Sequence, residues 1–201
     1  MLHPDAAALI FDIDGTLVDT MPLHFHAWIN ASRKHGFPFD EQVFVSSAGM
    51  PAAKIIEMIV EANGLGLDPA IVAADKEAGF LELLPEARPF PDVLELVRSC
   101  HGRLPMALGT GGTRAVAWKT ITASGLRGYF DILVAADDVV AHKPAPDTFL
   151  ACATQMGVEP RRCQVFEDAD KGVEAAVRAG MIPFDMRSCR PTPSYASLRD
   201  L

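Results

Sequence analysis

The sequence predicts an α/β protein: a doubly wound parallel sheet with a helical block inserted after its first strand. Two observations predict it. From residue 92 onward, short apolar runs alternate with helical patterns, the texture of strand–helix–strand units joined by right-handed crossovers. Between residues 19 and 85 no strand pattern occurs, so this stretch reads as helical throughout. A block inserted there overhangs the carboxyl ends of the strands, where open α/β sheets bind ligands.

The elements follow in order. Residues 6–13 form a continuous apolar run without a helical stripe, as expected of a strand buried on both faces. Residues 22–36 read as a helix opened by Pro22 and closed by Gly36. Residues 52–63 and 68–84 carry two more helical patterns, the first closed by Asn63-Gly64. The Pro-rich ARPFPD at 87–92 reads as a hinge. Beyond it come a helix at 92–100, a strand at 105–108, a helix at 114–124 and a strand at 132–135. A helix at 147–156, a strand at 164–166, a helix at 172–179 and a strand at 182–185 complete the pattern. Residues 1–19 and 88–201 are thus expected to form the α/β unit, and 20–87 the helical one. The tail from Arg190 is weakly patterned and is expected to be loosely attached.

Bulk properties narrow the function. A chain of 201 residues can bury one sizeable core and a smaller lobe. Its net charge of −8 supplies no basic face for nucleic acid and points instead to a small molecule or a metal. No apolar span suggests a membrane segment or a signal peptide, which predicts a cytoplasmic protein. Cys100, Cys152, Cys163 and Cys189 show no CxxC spacing and read as small buried side chains in a reducing compartment. The scattered histidines have no spacing that suits zinc.

Four segments place polar residues where strands should end. The first strand finishes in Asp12, Ile13, Asp14 and Gly15. Dehydrating two carboxylates costs several kcal/mol each unless a cation, hydrogen bonds or a retained proton compensates. The alternative is a solvated strand end turned by Gly15. MALGTGG adds Thr110, with Gly111 and Gly112 leaving backbone N–H groups open ahead of a helix. HKPAPDTF adds Lys143 after a fourth strand region, and VFEDAD adds Glu167 and Asp168. Converging carboxylates require a cation, and hard oxygen ligands favour Mg²⁺. A lysine, a hydroxyl and exposed N–H groups make an anion cradle. Together they suit phosphoryl transfer.

The ordered set DIDGT, GTGG, KPAPDTF and EDADKG resembles the haloacid dehalogenase superfamily of aspartate-nucleophile phosphotransferases, over nearly the whole chain. The resemblance implies a Rossmann-like core with an α-helical cap. It implies Asp12 as nucleophile and Asp14 as general acid, then base, with Thr110, Gly111 and Lys143 binding the phosphate. It implies Mg²⁺ held by Asp12, the backbone carbonyl of Asp14, and Asp168, with Glu167 acting through water. An acid at position 14 favours phosphate-ester chemistry, since dehalogenase and phosphonate-cleaving branches lack it. Asp170 could approach the metal or serve the next helix's first turn.

Within the superfamily the helical block resembles the cap of the β-phosphoglucomutase-like branch. Ala48 and Ala52 stand where mutases carry a lysine and an arginine for a second phosphate, and losing both cations favours hydrolysis. Lys54 could contact substrate or be solvated, and His24 could serve substrate, hinge or packing. PMALGTGG, FDILVAADDVVAHKPAPDTFL and QVFEDADKG resemble the bacterial fructose-1-phosphate and 6-phosphogluconate phosphatase group. The resemblance therefore implies a sugar-phosphate phosphatase, monomeric or weakly dimeric. The alternatives are a phosphosugar mutase and a phosphosugar-binding protein without turnover.

Overall fold

The computed structural model describes residues 1–190 and Tyr195. Five parallel strands make one sheet: β1 (Ala8–Phe11), β2 (Met106–Gly109), β3 (Ile132–Val134), β4 (Cys163–Glu167) and β5 (Ile182–Asp185). Their order is β3-β2-β1-β4-β5, which puts β1 at the centre. Ile10 lies opposite Ala107 on one side and Val165 on the other.

The continuous apolar run of β1 has a direct cause. Leu9 and Phe11 face a core built with helices α5 (Pro91–Cys100) and α6 (Arg114–Ala123), while Ala8 and Ile10 face a second core under α7 (Asp147–Met156) and α8 (Asp170–Arg178). A strand covered on both faces has no polar side to alternate with. Phe11 anchors the first core, stacked on Phe166 at 4.9 Å and edge-on to Phe130 at 5.8 Å. The ladder ends where Asp12 N–H donates to the Phe166 carbonyl at 3.0 Å, which leaves the Asp12 side chain at the carboxyl edge.

Between β1 and β2 lie α1 (Met21–His35), α2 (Glu41–Ser46), α3 (Ala52–Asn63) and α4 (Pro69–Leu83). They share a third core that includes Phe25, Trp28, Phe44, Ile56 and Val72. Gly36 and Gly64 close α1 and α3 in left-handed conformations, at φ +72° and +61°.

The expectations need five corrections. The short helix α2 went unread in the sequence; Asp40 caps it by accepting the Val43 N–H at 2.9 Å. Helix α8 begins at Asp170 rather than 172, because Gly172 is a close-approach glycine inside the helix. A Cβ there would stand 2.0 Å from Glu167 Cδ. Lys143 follows no strand of its own, since the chain from Val139 to His142 is irregular and leads from β3 towards α7. Cys189 is exposed, unlike the other three cysteines. Arg190 and Tyr195 are firmly held, so the tail is not loosely attached at either residue; the rest of it lies outside the described residues. No helix among the described residues is long and apolar enough to cross a membrane.

Candidate active site

Asp12 is only 5% exposed, and burial sets its chemistry. Lys143 Nζ donates to Asp12 Oδ1 at 2.7 Å, to Glu167 Oε2 at 2.7 Å and to the Gly109 carbonyl at 3.1 Å. Burial alone would lower the Lys143 pKa, but the two carboxylates outweigh it and raise it. Glu167 is fixed from its other side, where Oε1 accepts the Ala169 N–H at 3.0 Å.

Asp168 completes an acidic trio. One carboxylate oxygen from each of Asp12, Glu167 and Asp168 falls within 4.8 Å of the others. Thr16 Oγ1 donates to Asp168 Oδ1 at 2.8 Å. Gly15 sits between them at φ +84°, where a Cβ would meet Asp168 Oδ2 at 2.3 Å, so only glycine fits this turn. Burial and then the Glu167 charge push the Asp168 carboxyl up to about 7. Burial and Glu167 likewise hold Asp12 well above the carboxylate range, with Lys143 pulling the other way. Once all three are ionised, the carboxylates outnumber the one ammonium by two charges, and a divalent cation matches that deficit. The donor set therefore fits a hard divalent cation.

The Asp14 carboxylate stands outside the trio. Thr20 Oγ1 donates to its Oδ1 at 2.7 Å, and His24 Nε2 lies 3.1 Å from the same oxygen. Burial would raise the Asp14 pKa, but His24 and Thr20 outweigh it and lower it. Lys76 Nζ lies 2.7 Å from His24 Nδ1. An ammonium can only donate, so Nδ1 accepts and neutral His24 carries its proton on Nε2, facing Asp14. Burial and then Lys76 lower the His24 pKa, which favours that neutral ring. The ring stacks on Phe80 at 3.8 Å with the planes 8° apart. Lys76 itself is buried and pushed down to about 8.

Thr110 directly follows β2, with its Oγ1 accepting the Gly112 N–H at 3.0 Å. Gly111 is pressed against the helical lobe: a Cβ there would lie 2.2 Å from the Gly49 carbonyl oxygen. Lobe and sheet thus meet over one cleft, lined by Asp12, Asp14, Thr110, Glu167, Asp168 and Lys76 among others.

The structure brings Asp12, Asp14, His24, Thr110, Gly111, Lys143, Glu167 and Asp168 together. Lys54 is not among them; it is exposed and paired with Glu57 at 2.8 Å. Asp170 is also outside the site, its exposed carboxylate paired with Arg187 at 2.7 Å. Sequence reasoning missed Thr16, Thr20 and Lys76. Lys76 did leave a signal: it lies on the apolar stripe of α4, four residues after Val72 and four before Phe80.

Such an edge can offer a buried carboxylate to phosphorus, neutralise phosphoryl oxygens and hold a second carboxyl poised for proton transfer. These are the capacities of a capped α/β hydrolase of phosphate esters. The chain belongs to the haloacid dehalogenase-like hydrolase family, whose model matches residues 6–180. It is 48% identical over 182 residues to the fructose-1-phosphate phosphatase YqaB of Escherichia coli, covering 90% of this chain and 96% of that protein. It is 34% identical over 178 residues to a phosphorylated carbohydrates phosphatase of Thermotoga maritima, covering 87% and 82%. Among solved structures, a β-phosphoglucomutase from Clostridium difficile superimposes with a TM-score of 0.80. That match covers 90% of this chain and 84% of the other at 24% identity, a likeness of fold.

Proposed function

We propose that this protein is a Mg²⁺-dependent phosphatase of small sugar phosphates such as fructose 1-phosphate, acting through an aspartyl-phosphate on Asp12. The observation that carries the proposal is the cluster of Asp12, Glu167 and Asp168 around Lys143, whose charge deficit suits one divalent ion, beside a separately held Asp14. The similarity to two sugar-phosphate phosphatases supports the substrate class.

In this proposal Asp12 attacks phosphorus while Lys143 and the Thr110–Gly111 segment hold the phosphoryl oxygens. Asp12, Asp168 and the backbone carbonyl of Asp14 would hold Mg²⁺, with Glu167 one shell out, and the ion would supply charge neutralisation. Protonated Asp14 gives its proton to the leaving alkoxide, then takes one from the water that hydrolyses the acyl phosphate. The Thr20 and His24 bonds both hold Asp14 Oδ1 and so orient the carboxyl for these two transfers. Residues 20–87 act as a cap that opens for substrate and closes to exclude bulk water, over a core formed by 1–19 and 88–190.

A phosphate-release screen over small phosphorylated metabolites, with Mg²⁺ and with chelator, tests the proposal. Release from hexose or hexitol monophosphates only with Mg²⁺ is expected. Conversion of glucose 1-phosphate to glucose 6-phosphate without free phosphate would overturn it.

A further inference from the structure

Beyond β5 the chain carries two firmly held residues for which the proposed mechanism has no use. Arg190 Nη1 donates to the carbonyl oxygens of Gly15 at 2.9 Å and Thr16 at 3.1 Å. Its Nη2 donates to Asp92 Oδ1 at 3.2 Å, and its guanidinium covers the Phe90 ring at 3.5 Å from the centroid. Gly15 and Thr16 belong to the linker leaving β1, whereas Phe90 ends the one that returns from the lobe and Asp92 lies in the first turn of α5. One side chain therefore clasps both linkers of the hinge.

Tyr195 is held on the other side of that hinge. It is 3% exposed within the lobe's own core, its ring 5.1 Å from Phe44 and 5.6 Å from Phe25. Its backbone N–H donates to Glu41 Oε1 at 2.8 Å. Tyr195 follows Arg190 by five positions, so about 18 Å of chain at most joins the hinge to the lobe. Both lie beyond residue 180, where the family match ends.

The turn that Arg190 grips is the one that shapes the site. Asp14 immediately precedes it, Gly15 adopts φ +84° there, and Thr16 donates to Asp168. A planar guanidinium can bond two carbonyls and a carboxylate at once; a lysine ammonium cannot hold that fork.

We propose that Arg190 is a positioning residue for the Asp14–Thr16 turn, and that with Tyr195 it ties the placement of that turn to closure of the helical lobe. The inference rests on the proposed phosphatase activity for its kinetic consequences, but its structural core can be tested without it. Displacing the turn moves Asp14 and Asp168 together. Freeing Tyr195 leaves the turn gripped by Arg190 and releases the lobe, so the two substitutions act differently.

The test uses the full chain as Arg190→Ala, Arg190→Lys, Tyr195→Leu and the double variant Arg190→Ala/Tyr195→Leu. With fructose 1-phosphate and Mg²⁺, Arg190→Ala should lower kcat about 10- to 100-fold, as misplaced catalytic groups do. Arg190→Lys should recover part of that loss. Tyr195→Leu should raise KM while changing kcat little, and the double variant should fall short of the product of the single effects, because both act through one tie. Hydrogen–deuterium exchange gives a readout free of activity. Amides of residues 15–20 should exchange faster in Arg190→Ala, and those of residues 41–47 faster in Tyr195→Leu. Unchanged exchange at residues 15–20 in Arg190→Ala, or single effects that simply multiply, would overturn the tie. A wild-type protein that releases no phosphate from any sugar phosphate would overturn the phosphatase proposal, while the exchange data still decide the tie.

Discussion

Replacing Lys143 by Met keeps the length of the side chain and removes its charge. The ammonium is fully buried, 2.7 Å from both Asp12 and Glu167, so its loss strands two carboxylates in a dry site. Breaking a buried ion pair from one side costs about 3–5 kcal/mol. With a urea dependence of about 2–3 kcal/mol per molar, the unfolding midpoint should fall by about 1–2 M in metal-free buffer. The deficit should shrink towards acid pH. Burial and Glu167 already hold Asp12 well above the carboxylate range, and Lys143 is what draws it back. Without the lysine, folded Asp12 holds its proton to a still higher pH. A group whose pKa is raised on folding favours the folded state most at low pH and loses that advantage as pH rises. Saturating Mg²⁺ should also restore stability, by about 2.7 kcal/mol at a hundredfold excess over its dissociation constant. Urea titrations followed by circular dichroism near pH 5 and pH 8, each with Mg²⁺ and with chelator, measure all of this. A deficit that ignores both pH and Mg²⁺ would refute the charge accounting.

Three further outcomes are expected. Metal-free wild-type protein should lose stability as pH rises from the usual carboxylate range through about 7, because folding raises the Asp168 pKa and the folded state holds a proton that the unfolded chain has released; Mg²⁺ should abolish that slope in urea titrations. Gly111→Ala should lower kcat/KM by about 10- to 100-fold with little change in thermal midpoint, since its Cβ would stand 2.2 Å from the Gly49 carbonyl and hold the lobe off the site; full activity would contradict this. Lys76→Met should remove an alkaline limb near pH 8 from the kcat/KM profile, where the buried Lys76 loses its proton and its hold on His24; a limb that persists would assign it elsewhere.

Much of this architecture is legible in the sequence because its signals are local. A buried parallel strand must be apolar on both faces, which is why β1 stands out, and helices such as α3 advertise their ends through residues such as Gly64. The polar residues after those strands are conspicuous for the same reason. Helix α2 escaped because six residues are too few to display a period. Gly172 misled because a glycine near a helix start resembles a boundary, while its actual reason is Glu167, five residues earlier and folded back against it. Lys76 stands on the apolar stripe of α4, but its partners His24 and Phe80 are set by the packing of α4 rather than by any local pattern. Arg190 and Tyr195 escaped because their partners lie 98 to 175 residues away, a separation that no local pattern records.

The central claim is that Asp12 becomes phosphorylated and that Asp14 then directs water onto it. Acid-quenched Asp14→Asn protein, mixed with fructose 1-phosphate and Mg²⁺, puts this to the most direct test through mass spectrometry of the peptide carrying Asp12. The account predicts phosphate on Asp12, formed slowly and persisting because the base for its hydrolysis is gone. Normal turnover with no modified Asp12, or phosphate found on another residue, would contradict it.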